Sequence, residues 1–302
     1  MLRQLNETQS PQKHDPGAAA GQRPQRADWT IEQGWDRYSV EEHGVWRTLF
    51  ERQTRLLPGR ACDAFVRGMS ELPIGAGQIP DFRRLSDILM KRTGWQVVAV
   101  PGLVPDDVFF EHLAHRRFPA GHFIRKPHQL DYLEEPDVFH DVFGHVPLLM
   151  HPVIADYIQA YGEGGLRAQQ LGVLDKLSRV YWYTVEFGLV KQADGLRIYG
   201  AGIASSATES RFALEDPSPN RLAFDVERVM RTRYRIDDFQ ESYFVIEDLD
   251  QLLGLAHIDF APLYERAKQL PELEPGDLLP TDRVVTRGTG RHHADKRHGP
   301  AT

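Results

Sequence analysis

The stretch EPDVFHDVFGHVP, residues 135–147, carries His140 and His145, and the later stretch YWYTVEFGL, residues 181–189, carries Glu186. Two imidazoles and one carboxylate can hold a divalent first-row metal without the thiolates that favour a closed structural zinc site, and such a set leaves coordination positions open for chemistry. On a regular helix of about 100° per residue, side chains five apart diverge by about 140°. Gly144 immediately before the second histidine and Pro147 shortly after it predict that the helix loosens or ends there, so that His145 can swing toward His140. Composition alone argues the other way: the chain has 13 histidines, and a given pair is more often surface or hydrogen-bonded core than ligand.

Glu186 sits among Tyr181, Trp182, Tyr183, Val185, Phe187 and Leu189. A carboxylate in so apolar a run must face water or find a partner. Burial alone would raise its pKa and neutralise it, whereas a bound cation reverses that logic. The aromatic density all round the helix favours the ligand role over a solvent-facing one.

These blocks resemble the catalytic domain of the aromatic amino acid hydroxylases, the pterin-dependent, non-haem iron monooxygenases. The similarity runs from about Val40 to about Leu255, and EPDVFHDVFGHVPLL, VYWYTVEFGLVKQ and YGAGIASS are its most specific blocks. The resemblance implies that His140, His145 and Glu186 hold Fe(II), that Arg125 binds the carboxylate of an amino-acid substrate, and that Asp137 orients this arginine. It places Tyr132, Leu133 and Pro136 along the same pocket, with Trp182 against the substrate ring. Ser205 and Ser206 fall at a family serine pair, where a hydroxyl could hydrogen-bond the free nitrogen of His140; capping of the following helix is the equal alternative. The implied pterin site is the loop Gly102, Leu103, Val104, Pro105 and Asp106, with Phe109 stacking on the cofactor ring. Pro105 and Asp106 stand where animal members carry serines, and Asp141 replaces a longer glutamate beside the pterin.

Within the family, Trp182 agrees with phenylalanine and tyrosine hydroxylases, and the apolar Ile236 favours L-phenylalanine over L-tyrosine as substrate. The implied reaction converts L-phenylalanine to L-tyrosine with dioxygen and a tetrahydropterin. Tyrosine and tryptophan hydroxylases of the same family remain alternatives. From other classes, so do a zinc hydrolase, although the chain has no HExxH, and a non-catalytic amino-acid-binding protein.

Length and composition agree with one catalytic domain: 302 residues with 41% hydrophobic content can bury one large core. The expected division is a disordered tail over 1–28, the domain over 29–280 and a disordered basic tail over 281–302. His292, His293 and His298 lie in that second tail, where an unfolded segment would not pre-organise ligands. The net charge of −7 gives no support for a nucleic acid or an anionic membrane as partner. Cys62, the single cysteine, reads as a small core residue and suits a reducing cytosol. No signal peptide or membrane span is legible, so a cytoplasmic enzyme is expected. The chain looks like the short bacterial form, without the regulatory domain or tetramerisation segment of larger animal members, and a monomer is expected.

Between the tails, helical periodicity dominates, which predicts a mainly α fold with a few short strands. Helices are expected over VEEHGVWRTLFERQTRLL, GRACDAFVRGM, PDFRRLSDILMKRTG, VFFEHLAHRR, IADYIQAYGEGG and LDKLSRVYWYTVEFGLVKQ, with the last one starting at IEDLDQLLGLA. Strands are expected over WQVVAV, HFIR, RIYGAG and SYFVIE.

Overall fold

Ser39 begins the helical part of the chain. Its hydroxyl accepts from the Glu42 amide while the Glu42 carboxylate reaches back to Ser39 N, so both ends of the first turn are satisfied. The computed structural model describes residues 26–131, 133 and 135–298. Helix α1 (Val40–Leu56) buries Val45, Trp46 and Leu49. Helix α2 (Asp63–Glu71) starts after the buried Cys62, whose thiol burial pushes up to about 11, as befits an inert core residue. Helix α3 (Phe82–Arg92) is capped by Asp81, which accepts from Arg83 N, and Gly94 follows at φ +75°, the left-handed turn that glycine favours.

Strand β1 (Gln96–Val100), helix α4 (Asp106–Ala114) and strand β2 (Arg117–Gly121) form a parallel crossover in which Val100 pairs with Gly121. The strand expected over HFIR is thus displaced onto RFPAG, residues 117–121. Pro119 conceals it: proline is tolerated on an edge strand but reads as a breaker. The chain then runs through a π-helical turn, Phe139–His145, and a 3-10 turn, Val146–Met150, into α5 (Pro152–Gln170).

Helix α6 (Leu174–Tyr181) continues as a second π-helical turn, Trp182–Glu186, and ends there. The single long helix expected as far as Gln192 is therefore wrong, because Leu189–Gln192 forms strand β3. Gly188 marks the break: a Cβ at this position would come within 2.2 Å of the Tyr199 ring. Strand β4 (Gly195–Ile198) stops short of the expected RIYGAG, since Gly200 already caps α7 (Ala201–Ala204). There follow α8 (Ala207–Glu215), β5 (Asn220–Ala223), α9 (Val226–Arg231), β6 (Ser242–Ile246) and α10 (Asp250–Ala256).

Helix α10 is not the last; α11 (Ala261–Gln269), strand β7 (Val284–Thr286) and α12 (Arg291–His298) come after it. The short strands assemble into one mixed sheet of order β4-β3-β6-β5-β7. The expectation of a disordered tail from residue 281 is corrected for 281–298. There β7 pairs antiparallel with β5, and Arg228 holds Asp282 at 2.9 Å with both side chains buried. The tail expected over 1–28 lies outside the described residues up to position 25, and Asp28 pairs with Arg117 at 3.1 Å. Helix makes up 51% of the fold and strand 12%, so the class is mainly α. No helix among the described residues is long and apolar enough to cross a membrane.

Candidate iron centre and its pockets

In a π-helix the backbone hydrogen bond spans i to i+5, so residues five apart return to the same side. The turn Phe139–His145 uses this to bring His140 Nε2 within 3.3 Å of His145 Nε2. The helix widens at Gly144, where a Cβ would lie 2.8 Å from the Ala201 carbonyl; glycine lets α7 pack directly on the turn. The second π-helical turn, closed by Phe187 N donating to Trp182 O at 2.8 Å, aims Glu186 inward. Its Oε1 lies 3.3 Å from His145 Nε2 and its Oε2 lies 3.5 Å from His140 Nε2.

The hydrogen-bond network sets the tautomer of His140. Ser205 Oγ donates its one hydrogen to the Ala201 carbonyl at 2.8 Å, so its 3.0 Å contact with His140 Nδ1 must be accepted from an Nδ1–H. His140 Nε2 then carries a lone pair facing the triad. Burial pushes the His140 pKa down to about 4, which keeps the ring neutral. For Glu186, burial opposes ionisation, and the facing His145, which also hydrogen-bonds the carboxylate, outweighs this and holds its pKa below the usual carboxylate range. Ser206, the neighbour of Ser205, instead caps α8 by accepting from Glu209 N.

Two imidazoles, at least one of them turning a lone pair inward, and a buried carboxylate with Oε2 unpartnered make a donor set that fits a divalent cation. Metal bonds of about 2.1 Å at right angles would place adjacent donors about 3.0 Å apart, close to the observed spacing. The three donors form the two-histidine, one-carboxylate face typical of non-haem Fe(II) sites.

A pocket of about 400 Å³, open solvent included, adjoins the triad. It brings Gly102, Leu103, Val104, Phe109, Pro136 and Asp141 together with His145 and Glu186. Asp141 Oδ2 accepts from Gly121 N at 2.8 Å, and burial pushes its carboxyl up to about 7. Asp106 lies in the first turn of α4 and is not among the lining residues. Phe118, Gly121 and Tyr181 also line this pocket and escaped the sequence reading. Phe118 and Gly121 were lost with the misplaced strand, whereas Tyr181 stood next to Trp182 in a block already singled out.

On the other side of the π-helical turn, Asp137 is fully buried. Its carboxylate accepts from Arg125 Nε and Nη2 at 2.8 and 2.9 Å and from His140 N at 3.0 Å, so one side chain ties the arginine to the turn. Trp182 donates from Nε1 to Gln240 Oε1 at 2.9 Å and stacks on Tyr234 with centroids 4.2 Å apart. Neither Gln240 nor Tyr234 was foreseen. Ile236 is half-buried in the loop between α9 and β6, and Leu133 is half-buried before the π-helical turn. Tyr132 lies outside the described residues.

A second group of metal-competent side chains joins Asp238 to His292 and His293, which stand in the stretch expected to be an unstructured tail. Lys296 Nζ sits 2.8 Å from Asp238 Oδ1, so a cation already occupies this carboxylate.

Comparison with known proteins agrees with this geometry. The family of biopterin-dependent aromatic amino acid hydroxylases matches residues 35–262. A phenylalanine-4-hydroxylase of Caulobacter vibrioides is 62% identical over 90% of this chain and 92% of its own length. Another, of Ralstonia nicotianae, is 59% identical over 89% of this chain and 86% of its own length. The iron- and phenylalanine-bound crystal structure of phenylalanine hydroxylase from Chromobacterium violaceum superposes with a TM-score of 0.84 at 54% identity, covering 88% of this chain and 97% of that one. With its iron-ready triad and a match over most of its length, the chain belongs to the biopterin-dependent aromatic amino acid hydroxylases.

Proposed function

We propose that this protein is a phenylalanine 4-monooxygenase, converting L-phenylalanine to L-tyrosine with dioxygen and a tetrahydropterin at Fe(II). The observation that carries the reading is the convergence of His140 Nε2, His145 Nε2 and Glu186 within 3.5 Å of one another, beside the pocket lined by Gly102, Leu103, Val104 and Phe109. Similarity to relatives bearing the phenylalanine-4-hydroxylase name supports the substrate.

His140, His145 and Glu186 would hold Fe(II), which with a reduced pterin would supply the electrons for dioxygen chemistry. The chain's own part is positioning. His140 and His145 would hold the metal through their Nε2 atoms, and the buried Glu186 would balance part of its charge. Phe109 and the 102–104 backbone hold the pterin, with Asp141 as its polar neighbour in the same pocket.

Arg125 receives the substrate carboxylate. Asp137 engages its Nε and Nη2, fixing the guanidinium plane and leaving Nη1 for the ligand. Leu133 and Pro136 line the approach, Trp182 packs against the ring, and Ile236 contributes an apolar wall that accepts phenylalanine better than tyrosine. Ser205 keeps His140 in its metal-binding tautomer. Such a site orders its reactants and needs no side chain as principal acid or base. We also propose a cytoplasmic monomer serving phenylalanine breakdown and tyrosine formation.

An assay of hydroxylation with phenylalanine, tyrosine and tryptophan, each with and without Fe(II) and a tetrahydropterin, tests the reading. Tyrosine formed from phenylalanine, dependent on both additions and faster than turnover of the other two, is expected. Equal turnover of tyrosine would remove the role given to Ile236, and no turnover of any of the three would overturn the proposal.

A further inference from the structure

The C-terminal segment reaches the wall of the proposed ring pocket from outside. Its strand β7 lies on β5, Gly288 N donates to Asn220 Oδ1 at 2.9 Å and His292 N donates to Ser218 Oγ at 3.0 Å. Helix α12 then places His292 Nε2 3.0 Å and Lys296 Nζ 2.8 Å from Asp238 Oδ1, with His293 Nδ1 3.5 Å from Oδ2. The His292 ring also packs on Phe239 and Phe212, which stack on each other at 4.3 Å. Asp238 and Phe239 belong to the loop between α9 and β6.

That loop holds Trp182 at two points. Gln240, 2% exposed, accepts from Trp182 Nε1 at 2.9 Å and donates to the Arg235 carbonyl at 2.8 Å. Tyr234 stacks on the indole at 4.2 Å and 17°. The contacts therefore run in series: α12 grips Asp238 and Phe239, and the same loop grips the indole through Gln240 and Tyr234. A residue whose only duty was to fasten the C-terminus could sit anywhere on the surface, whereas Asp238 lies two positions from the hydrogen-bond partner of Trp182.

We propose that the C-terminal segment is a positioning element of the ring pocket: the grip of His292, His293 and Lys296 on Asp238 holds the 234–240 loop in the one arrangement in which Gln240 and Tyr234 fix Trp182. The proposal rests on the reading of Trp182 as the wall of the substrate ring. Asp238 touches neither substrate nor metal and acts through the loop. Neither Trp182 nor the 234–240 loop lines the pterin pocket, so a loosened loop, which leaves the indole free to move away from the ring, weakens binding of phenylalanine and spares that of the pterin.

The test uses the full-length, iron-loaded enzyme and the variants Asp238→Ala, Trp182→Phe and their combination, with KM measured separately for phenylalanine and for the tetrahydropterin. Asp238→Ala is expected to raise KM for phenylalanine about fivefold while kcat and the pterin KM stay within about twofold, the pattern of lost ground-state binding. In the double variant the two effects should fall short of adding, because both act on one contact. Asp238→Glu, which keeps the carboxylate, should restore most of the wild-type KM. If Asp238→Ala folds too poorly to assay, His292→Ala with Lys296→Ala removes the same grip from the exposed side and should give the same selective rise.

A KM for phenylalanine unchanged by Asp238→Ala while Trp182→Phe raises it would overturn the positioning role and leave the functional reading standing. An unchanged KM in Trp182→Phe would overturn the reading of Trp182 itself, and the positioning role with it. A parallel rise in both KM values would show general loosening, which also contradicts the proposal.

Discussion

The turn that carries the histidines and the segment that closes the chain are both rich in histidine, yet they are built in opposite ways. In the turn, His140 and His145 lie within six residues of each other, and a widened helix alone brings the two imidazoles together. In the C-terminal segment, His292, His293 and Lys296 are ordered by partners far away in sequence, Asp238, Ser218 and Asn220. A local motif can be read from its residues. A docked segment has to be read from its partners.

The difference predicts where substitutions bite. Asp137→Ala should have the largest effect of those that spare the ligands, because Arg125 and the His140 amide both depend on a carboxylate that is fully buried. Removing one partner of a buried pair costs about 3–5 kcal/mol. A drop of that size in chemical denaturation, with phenylalanine turnover lost, is expected; a stability within about 1 kcal/mol of wild type would sink the role given to this pair.

Glu209 probes the ground beneath the loop that joins the two regions. Burial pushes its carboxyl up to about 7 from 4.5, against the bond from Tyr243 Oη. With the folded pKa raised, its contribution is fully present below the unfolded value and disappears as pH rises through about 7. At about 1.36 kcal/mol per unit, the change amounts to about 3 kcal/mol. Stability of the wild type should therefore fall between pH 4.5 and 7 more steeply than that of Glu209→Gln. Parallel pH profiles would contradict the buried, neutral carboxyl.

Ser205→Ala should act on the metal rather than on the fold. Losing the acceptor for His140 Nδ1 frees the ring to take the other tautomer, and such outer partners are worth about 10- to 100-fold in metal affinity. Titration of the apoprotein with Fe(II) under anaerobic conditions should show this weakening, and unaltered affinity would remove the tautomer argument. The smallest effect belongs to Lys296→Ala: its side chain is 59% exposed, so the loss in stability should stay below about 1 kcal/mol. A larger loss would mean that the grip on Asp238 behaves like the buried pair at Asp137.

Much of the molecule was legible because its signals are local. The stretches VEEHGVWRTLFERQTRLL and PDFRRLSDILMKRTG bracketed α1 and α3 from sequence alone. The awkward spacing of His140 and His145 signalled a departure from a regular helix, and the π-helical turn Phe139–His145 is the physical form of it. Strand β2 was misplaced because Pro119 carries a breaker's signature while its partner strand decides the pairing. The end of the helix after Glu186 was missed because the constraint at Gly188 comes from Tyr199, which lies in another element. Gln240 and Tyr234 could not be connected with Trp182 for the same reason, and the basic composition of the expected tail concealed Asp238, the acidic partner of His292, His293 and Lys296.

The most direct measurement of the central claim is Fe(II) content together with tyrosine formation in the wild type and in His145→Ala. The wild type is predicted to hold one Fe(II) per chain and to form tyrosine from phenylalanine with a tetrahydropterin, whereas His145→Ala should keep the helical circular-dichroism spectrum, lose the iron and form no tyrosine. An iron-free His145→Ala protein that forms tyrosine at the wild-type rate would contradict it.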